Sequence, residues 1–203
     1  MQRRTRFPSP TRSNSPAKSG SILASHTMQR SAIPFHYYAI FAIYEPFLTT
    51  IGFIGALIDP KGAHDQQAPW PNGRPLDFPL ATKLTITQLG HVCALLGLLN
   101  VFLLSSARTH LSLQPALQEK IVSALLTPLL LGDVLHIYIT LWALGDSRFD
   151  FANWTPTLYI TIVSGLTLLI PRFCWQMGIA RYVDTRDGTH PTSHPRAAAE
   201  LKS

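Results

Sequence analysis

Cysteine is scarce in this 203-residue chain, and so is charge. The two cysteines, Cys93 and Cys174, both fall inside long apolar runs. That placement excludes a disulfide framework, and their spacing suits no metal. A thiolate is disfavoured in hydrocarbon surroundings, so both read as small packing residues rather than catalytic thiols. Charged side chains make up 14% of the sequence against 46% hydrophobic, which limits the chain to one compact membrane domain plus tails. Aspartate and glutamate are missing from residues 1–33 altogether, where Arg, Ser and Pro abound. Such a segment cannot bury enough apolar surface to offset its ordering entropy, and disorder is expected there. No basic patch interleaved with aromatics exists, so the net charge of +6 does not argue for nucleic acid. Internal repeats and paired broken helices are also missing, which counts against a transporter.

What is present is four apolar runs, at about residues 35–58, 84–107, 121–145 and 157–180. Each has about 20 residues or more, enough at roughly 1.5 Å per residue to cross a hydrocarbon core of about 30 Å. The basic residues sort to one side of them. Twelve Lys and Arg lie in the two tails and the second connection, against four in the first and third connections (Lys61, Arg74, Lys83 and Arg148). The excess should face the cytosol, with both termini there and contact to anionic lipid head groups. The expected fold is an all-α, four-transmembrane-helix bundle over residues 34–180, with a disordered basic tail before it and a short cytosolic tail over 181–203.

The N-terminal tail admits several explanations. Its acid-free, Arg- and Ser-rich composition suits a mitochondrial transit peptide, but the prolines at 8, 10 and 16 oppose the amphipathic helix such a signal needs. An endomembrane location, the endoplasmic reticulum, is therefore preferred over the mitochondrion. Ser9-Pro10 and Ser15-Pro16 are candidate phosphorylation sites. Met28 opens a second plausible start, so residues 1–27 are also explained as a gene-model extension. The Pro- and Gly-rich first connection is expected to be irregular, and Phe149, Phe151 and Trp154 in the third suit an interfacial belt.

The informative residues are the polar ones that a bilayer should exclude: Glu45; Gln88, His91 and Asn100; Asp133 and His136; Arg172 and Gln176. An ionised side chain near the bilayer centre costs about 2.5–3.5 kcal/mol even on lenient scales, so these should face the bundle interior, paired or neutralised. Helix rise places Glu45 at ~15 Å, Asp133 at ~18 Å, His91 at ~20 Å and His136 at ~22 Å from the cytosolic edge. Asn100 and Arg172 come out nearer that edge, at ~6–8 Å. Asp133, His136 and Thr140 share a helix face, as do Gln88 and His91, while Asn100 is half a turn out of phase with His91. The expected centre is therefore Glu45, His91, Asp133 and His136, with Tyr44 and Tyr138 nearby. Arg172 either snorkels to the basic side or reaches Glu45, and snorkelling is preferred.

A carboxylate beside an imidazole in a dry pocket is a general acid/base pair, suited to isomerisation, cyclisation or dehydration of a lipophilic substrate. Asp133 and His136 would then transfer the proton, with Glu45 and His91 as supporting acid or orienter and Tyr44, Gln88, Tyr138 and Arg172 around them. Neither a cofactor nor a metal is called for, since the histidines and carboxylates are scattered over three helices. The competing reading is a hydrogen-bond and ion-pair network that only holds the helices in register. An acid/base enzyme or accessory factor acting on a lipophilic metabolite is narrowly preferred, with a non-catalytic lipid- or sterol-binding or scaffolding protein as the main alternative and a proton-coupled transporter third.

At Tyr44-Glu45-Pro46, Gln88-Leu89, Asn100, the segment Leu131 to Tyr138, Trp154 and Arg172-Phe173, the chain resembles a family of small fungal integral-membrane proteins. That family is a four-span domain of unknown function, and the likeness covers about residues 34–180. The N-terminal extension and the Pro-rich first connection depart from its pattern. The resemblance implies a lipophilic metabolite as ligand or substrate, in secondary-metabolite biosynthesis, and no set reaction.

Overall fold

A computed structural model of the chain describes residues 31–188. Four long helices fill it: α1 (Phe35–Ile58), α3 (Leu80–His110), α4 (Pro115–Ala143) and α5 (Pro156–Gln176). Two short ones, α2 (Pro60–Asp65) and α6 (Asp184–Asp187), follow α1 and α5. All four long helices are apolar enough to cross a membrane. The expected disorder over 1–30, and the tail beyond 188, lie outside the described residues.

Local chemistry sets the helix ends. Pro115 and Pro156 each occupy a first turn, where the missing N–H costs nothing, and the Thr155 hydroxyl accepts from the Leu158 N–H at 3.1 Å. The far end of α5 closes in a Schellman motif. The Gly178 N–H donates to the Trp175 carbonyl and the Ile179 N–H to that of Cys174, with Gly178 at φ 73°. The apolar run thus continues past the helix that it begins, and α5 stops at Gln176 rather than Ala180. Within α1, Pro46 cannot donate to a carbonyl one turn back. The helix takes up the mismatch by widening to a π-helix over Ile40–Tyr44, directly before Glu45.

The long helices pack as two hairpins, α1 against α3 and α4 against α5. Gly97 on α3 lets α1 come close: a Cβ there would lie 3.0 Å from the Pro46 Cα and collide with the Thr49 hydroxyl. The π segment of α1 touches α5 and so joins the hairpins.

The core sits at the end of the bundle where the described termini meet. Ile33, Tyr37 and Phe41 pack there with Leu104, Val122, Leu126 and Trp175. Two segments read from the sequence as tails belong to this core. Ala32 and Ile33 are buried, and so are Arg181 and Tyr182, where the chain folds back over the helix ends and the Tyr182 N–H donates to the Ser31 carbonyl. Gln118, 1% exposed, accepts from the Ala32 N–H and the Ser31 hydroxyl and donates to the Ala107 carbonyl. The Trp175 indole donates to the Ala32 carbonyl at 3.0 Å, and the Arg181 guanidinium lies 3.9 Å over the Trp175 ring and pairs with Glu119 at 2.6 Å. Burial, and then the hydrogen bond to Asp184, push the Tyr182 hydroxyl up to about 12.

The opposite end is looser. The first connection is more ordered than its composition suggested. Asp59 caps α2, Lys61 and His64 bracket Asp65 at 2.8 and 2.9 Å, and the Trp70 indole donates to the Asp65 carbonyl.

Candidate functional site

One buried arginine binds two carboxylates on two other helices. Arg172 of α5 is 0% exposed. Its Nη2 lies 2.5 Å from Glu45 Oε2 on α1, and its Nη1 donates to Asp133 Oδ2 on α4. The guanidinium also lies 5.4 Å from the centre of the Phe41 ring. On α3, the Asn100 side chain is 1% exposed beside Glu45, without the geometry of a formed hydrogen bond among the described residues. All four long helices thus send one polar group to a single junction. The π segment and Pro46 position Glu45, and Gly97 brings α3 near enough for Asn100 to reach it.

This is a different set from the one that residue counting assembled. Glu45 and Asp133 are at the junction, but the histidines are not. His91 is exposed and lies tilted against Phe53, with ring centres 5.9 Å apart, and Gln88 is exposed on the same helix. The half-turn offset between His91 and Asn100 is present, with Asn100 the member that faces inward. His136, one turn beyond Asp133, is exposed near Gly165, in the seam between α4 and α5. Tyr138 is exposed, and the Tyr44 hydroxyl pairs with Thr167 at 3.1 Å. Snorkelling of Arg172 is overturned for a physical reason. Buried Phe41 and Trp175, with the fold-back above them, seal the end toward which it would have reached.

A cavity of about 400 Å³ lies at the other end, where the third connection turns over α4 and α5. Leu141, Ile162 and Val163 line it from the helices, and Phe151, Trp154 and Tyr159 from the connection and the start of α5. The aromatic rings hold one another, with Phe151 to Trp154 at 4.9 Å and Trp154 to Tyr159 at 5.3 Å between centres. Their polar tips are engaged: the Trp154 indole donates to the Ser147 carbonyl at 2.9 Å and the Tyr159 hydroxyl to that of Phe151 at 2.6 Å. These rings thus turn only apolar surface to the cavity, whose lining Arg148 and Phe149 complete. The aromatics that the sequence placed in an interfacial belt therefore build a pocket there. A second, more polar cavity of about 450 Å³ separates Gly52 and Gly55 of α1 from Thr161 and Ser164 of α5. Among the described residues no group of His, Cys, Asp and Glu is arranged to hold a metal.

Fold and junction together define an all-helical protein with four helices fit to cross a membrane and a buried ion-pair junction between them. Residues 30–182 match the model of a family described as a domain of unknown function, DUF7704, and the chain belongs to that family. The match begins and ends at the buried segments that meet around Gln118 and Trp175. No curated protein and no solved structure matches the chain.

Proposed function

We propose that this multi-pass membrane protein binds a lipophilic small molecule in the cavity under the third connection, while the Arg172 junction fixes the helices. The observation that carries this reading is the cavity itself. It falls within the 300–1,000 Å³ typical of small-molecule sites, and its aromatic wall is pre-formed by hydrogen bonds that spend every polar tip elsewhere. A wall of that kind favours an apolar guest. The fungal family resemblance points to a secondary metabolite as that guest. The basic residues around the termini support a cytosolic placement of both ends, and the prolines at 8, 10 and 16, which oppose a transit helix, support the endoplasmic reticulum over the mitochondrion. To test the reading, the protein is purified beside Val163→Phe, which fills the cavity, and both are extracted for mass spectrometry. A lipophile enriched with the wild type and lost from an equally stable variant is expected. Identical extracts would sink the reading.

A second reading, acid/base chemistry on the same lipophile, is supported by the position of His136. It lies in the α4–α5 seam between the cavity and Asp133, five residues or roughly 7.5 Å along the helix from Leu141. Asp133 and His136 would move the proton, with Glu45 behind them. This reading requires His136→Gln to abolish a metabolite in the native host while protein abundance stays unchanged.

A further inference from the structure

Arg148 is the charged member of the cavity lining, and among the described residues no carboxylate pairs with it. Its guanidinium lies 4.7 Å over the ring of Phe149, an arrangement that uses one flat face and leaves the N–H edge for another partner. It is half-buried, five residues past the end of α4, where a membrane interface would fall. With the indole and phenol tips engaged on backbone carbonyls, Arg148 is the polar group there with capacity to spare.

We infer that the cavity takes a lipophile ending in a carboxylate, received by the Arg148 guanidinium while its apolar body lies against Leu141, Ile162 and Val163. This rests on the reading of the cavity as a lipophile site and adds the chemical class of the ligand. Two arguments favour a carboxylate. The planar N–H fork of arginine matches its two oxygens in a bidentate pair, which a neutral hydroxyl or ester cannot reproduce. A volume of about 400 Å³ is near the lower end for small-molecule sites, so it suits one chain or a compact ring system rather than a two-chain phospholipid. An anionic head at the interface with the body between the helices is also the orientation that a bilayer imposes.

The test uses the full-length protein in nanodiscs of a neutral phospholipid and three photoreactive probes with the same diazirine-bearing chain. One ends in a carboxylate, one in an alcohol and one in a phosphate. Labelled peptides are mapped by mass spectrometry and the half-saturation concentration of each probe is read. The carboxylate probe should label residues 141–163 saturably, with half-saturation rising roughly ten- to hundred-fold in Arg148→Gln and much less in Arg148→Lys. The alcohol probe should bind weakly to the wild type and be indifferent to both substitutions. Its labelling also controls for a misfolded variant. Equal labelling by acid and alcohol would overturn the carboxylate and leave the lipophile reading standing. Preference for the phosphate would overturn it in favour of a lipid head group. If no probe labels the segment saturably, the lipophile reading falls as well.

Discussion

Replacing Arg172 with methionine should be among the most damaging single changes in the chain. Methionine retains much of the length and apolar bulk but leaves Glu45 and Asp133 facing a position with no cation. Removing one partner of a buried ionic network typically costs 3–5 kcal/mol, because the remaining charge is stranded in a low-dielectric site. Total stabilities of 5–15 kcal/mol set the scale for that loss. For a chain of this size it corresponds to a fall in melting temperature of roughly 6–20 °C. The assay is thermal unfolding in one detergent, followed by circular dichroism, for the wild type, Arg172→Met, Arg172→Lys and the triple variant Arg172→Met/Glu45→Gln/Asp133→Asn. Lysine keeps the charge but is a point cation without a fork, so it should fall between wild type and methionine. The triple variant removes cation and anions together and should recover most of the loss, since no charge is then left unpaired. Two outcomes would refute the reasoning. One is an Arg172→Met protein that melts with the wild type. The other is a triple variant no more stable than the single one, which would show that packing around the guanidinium, rather than charge, is what matters.

The close crossing of α1 and α3 gives a steric prediction. Gly97→Val puts a branched side chain against the Pro46 backbone and should cost about 1–3 kcal/mol, whereas Gly132→Val, where a Cβ meets nothing within 4 Å, should stay within about 0.5 kcal/mol. Equal effects on the melting temperature would count against the crossing. The first connection gives a pH prediction. Hydrogen bonds from Lys61, then from His64, hold the Asp65 carboxyl below its usual 3.8, so its contribution is complete at neutral pH and is lost only as pH falls through the lowered value. Fluorescence of Trp70, whose indole donates to the Asp65 carbonyl, should hold steady down to about pH 5 and change below about pH 4. A wild-type transition well above pH 5 would point to some other group.

The four helices were legible because a long apolar run has few other uses. Their ends were less so, since caps and backbone hydrogen bonds, not hydropathy, decide where a helix stops. Leu80–His110 exceeds its apolar run at both ends, while Gly178 cuts α5 short inside its own. Depth along the helices set Glu45 and Asp133 near one level, and both contact Arg172. It also set Asn100 well below His91, so depth and phase together favoured the histidine, whereas Asn100 is the one buried beside Glu45. The third partner was hidden for another reason. Whether Arg172 snorkels or turns inward depends on whether its end of the bundle is open. The segment that closes it, residues 179–183, straddles the end of the apolar run, and from Arg181 on the sequence reads as a polar tail. Its one sequence signal is Gly178, a residue type suited to a helix C-cap, which lies inside the apolar run near its end and makes a reversal of the chain possible.

The junction also constrains what any chemistry here would involve. In the structure both carboxylates already bind Arg172, so proton transfer by Asp133 would first have to loosen a contact that joins three helices. His136 is under no such constraint. It stands outside the ion-pair junction, in the seam that runs toward the cavity. Loss of a metabolite on Asp133→Asn would therefore be ambiguous, because the change neutralises one arm of the junction and should lower abundance on its own account. His136→Gln separates the readings. A catalytic imidazole predicts lost product at unchanged stability, and a purely structural junction predicts that this substitution leaves both untouched.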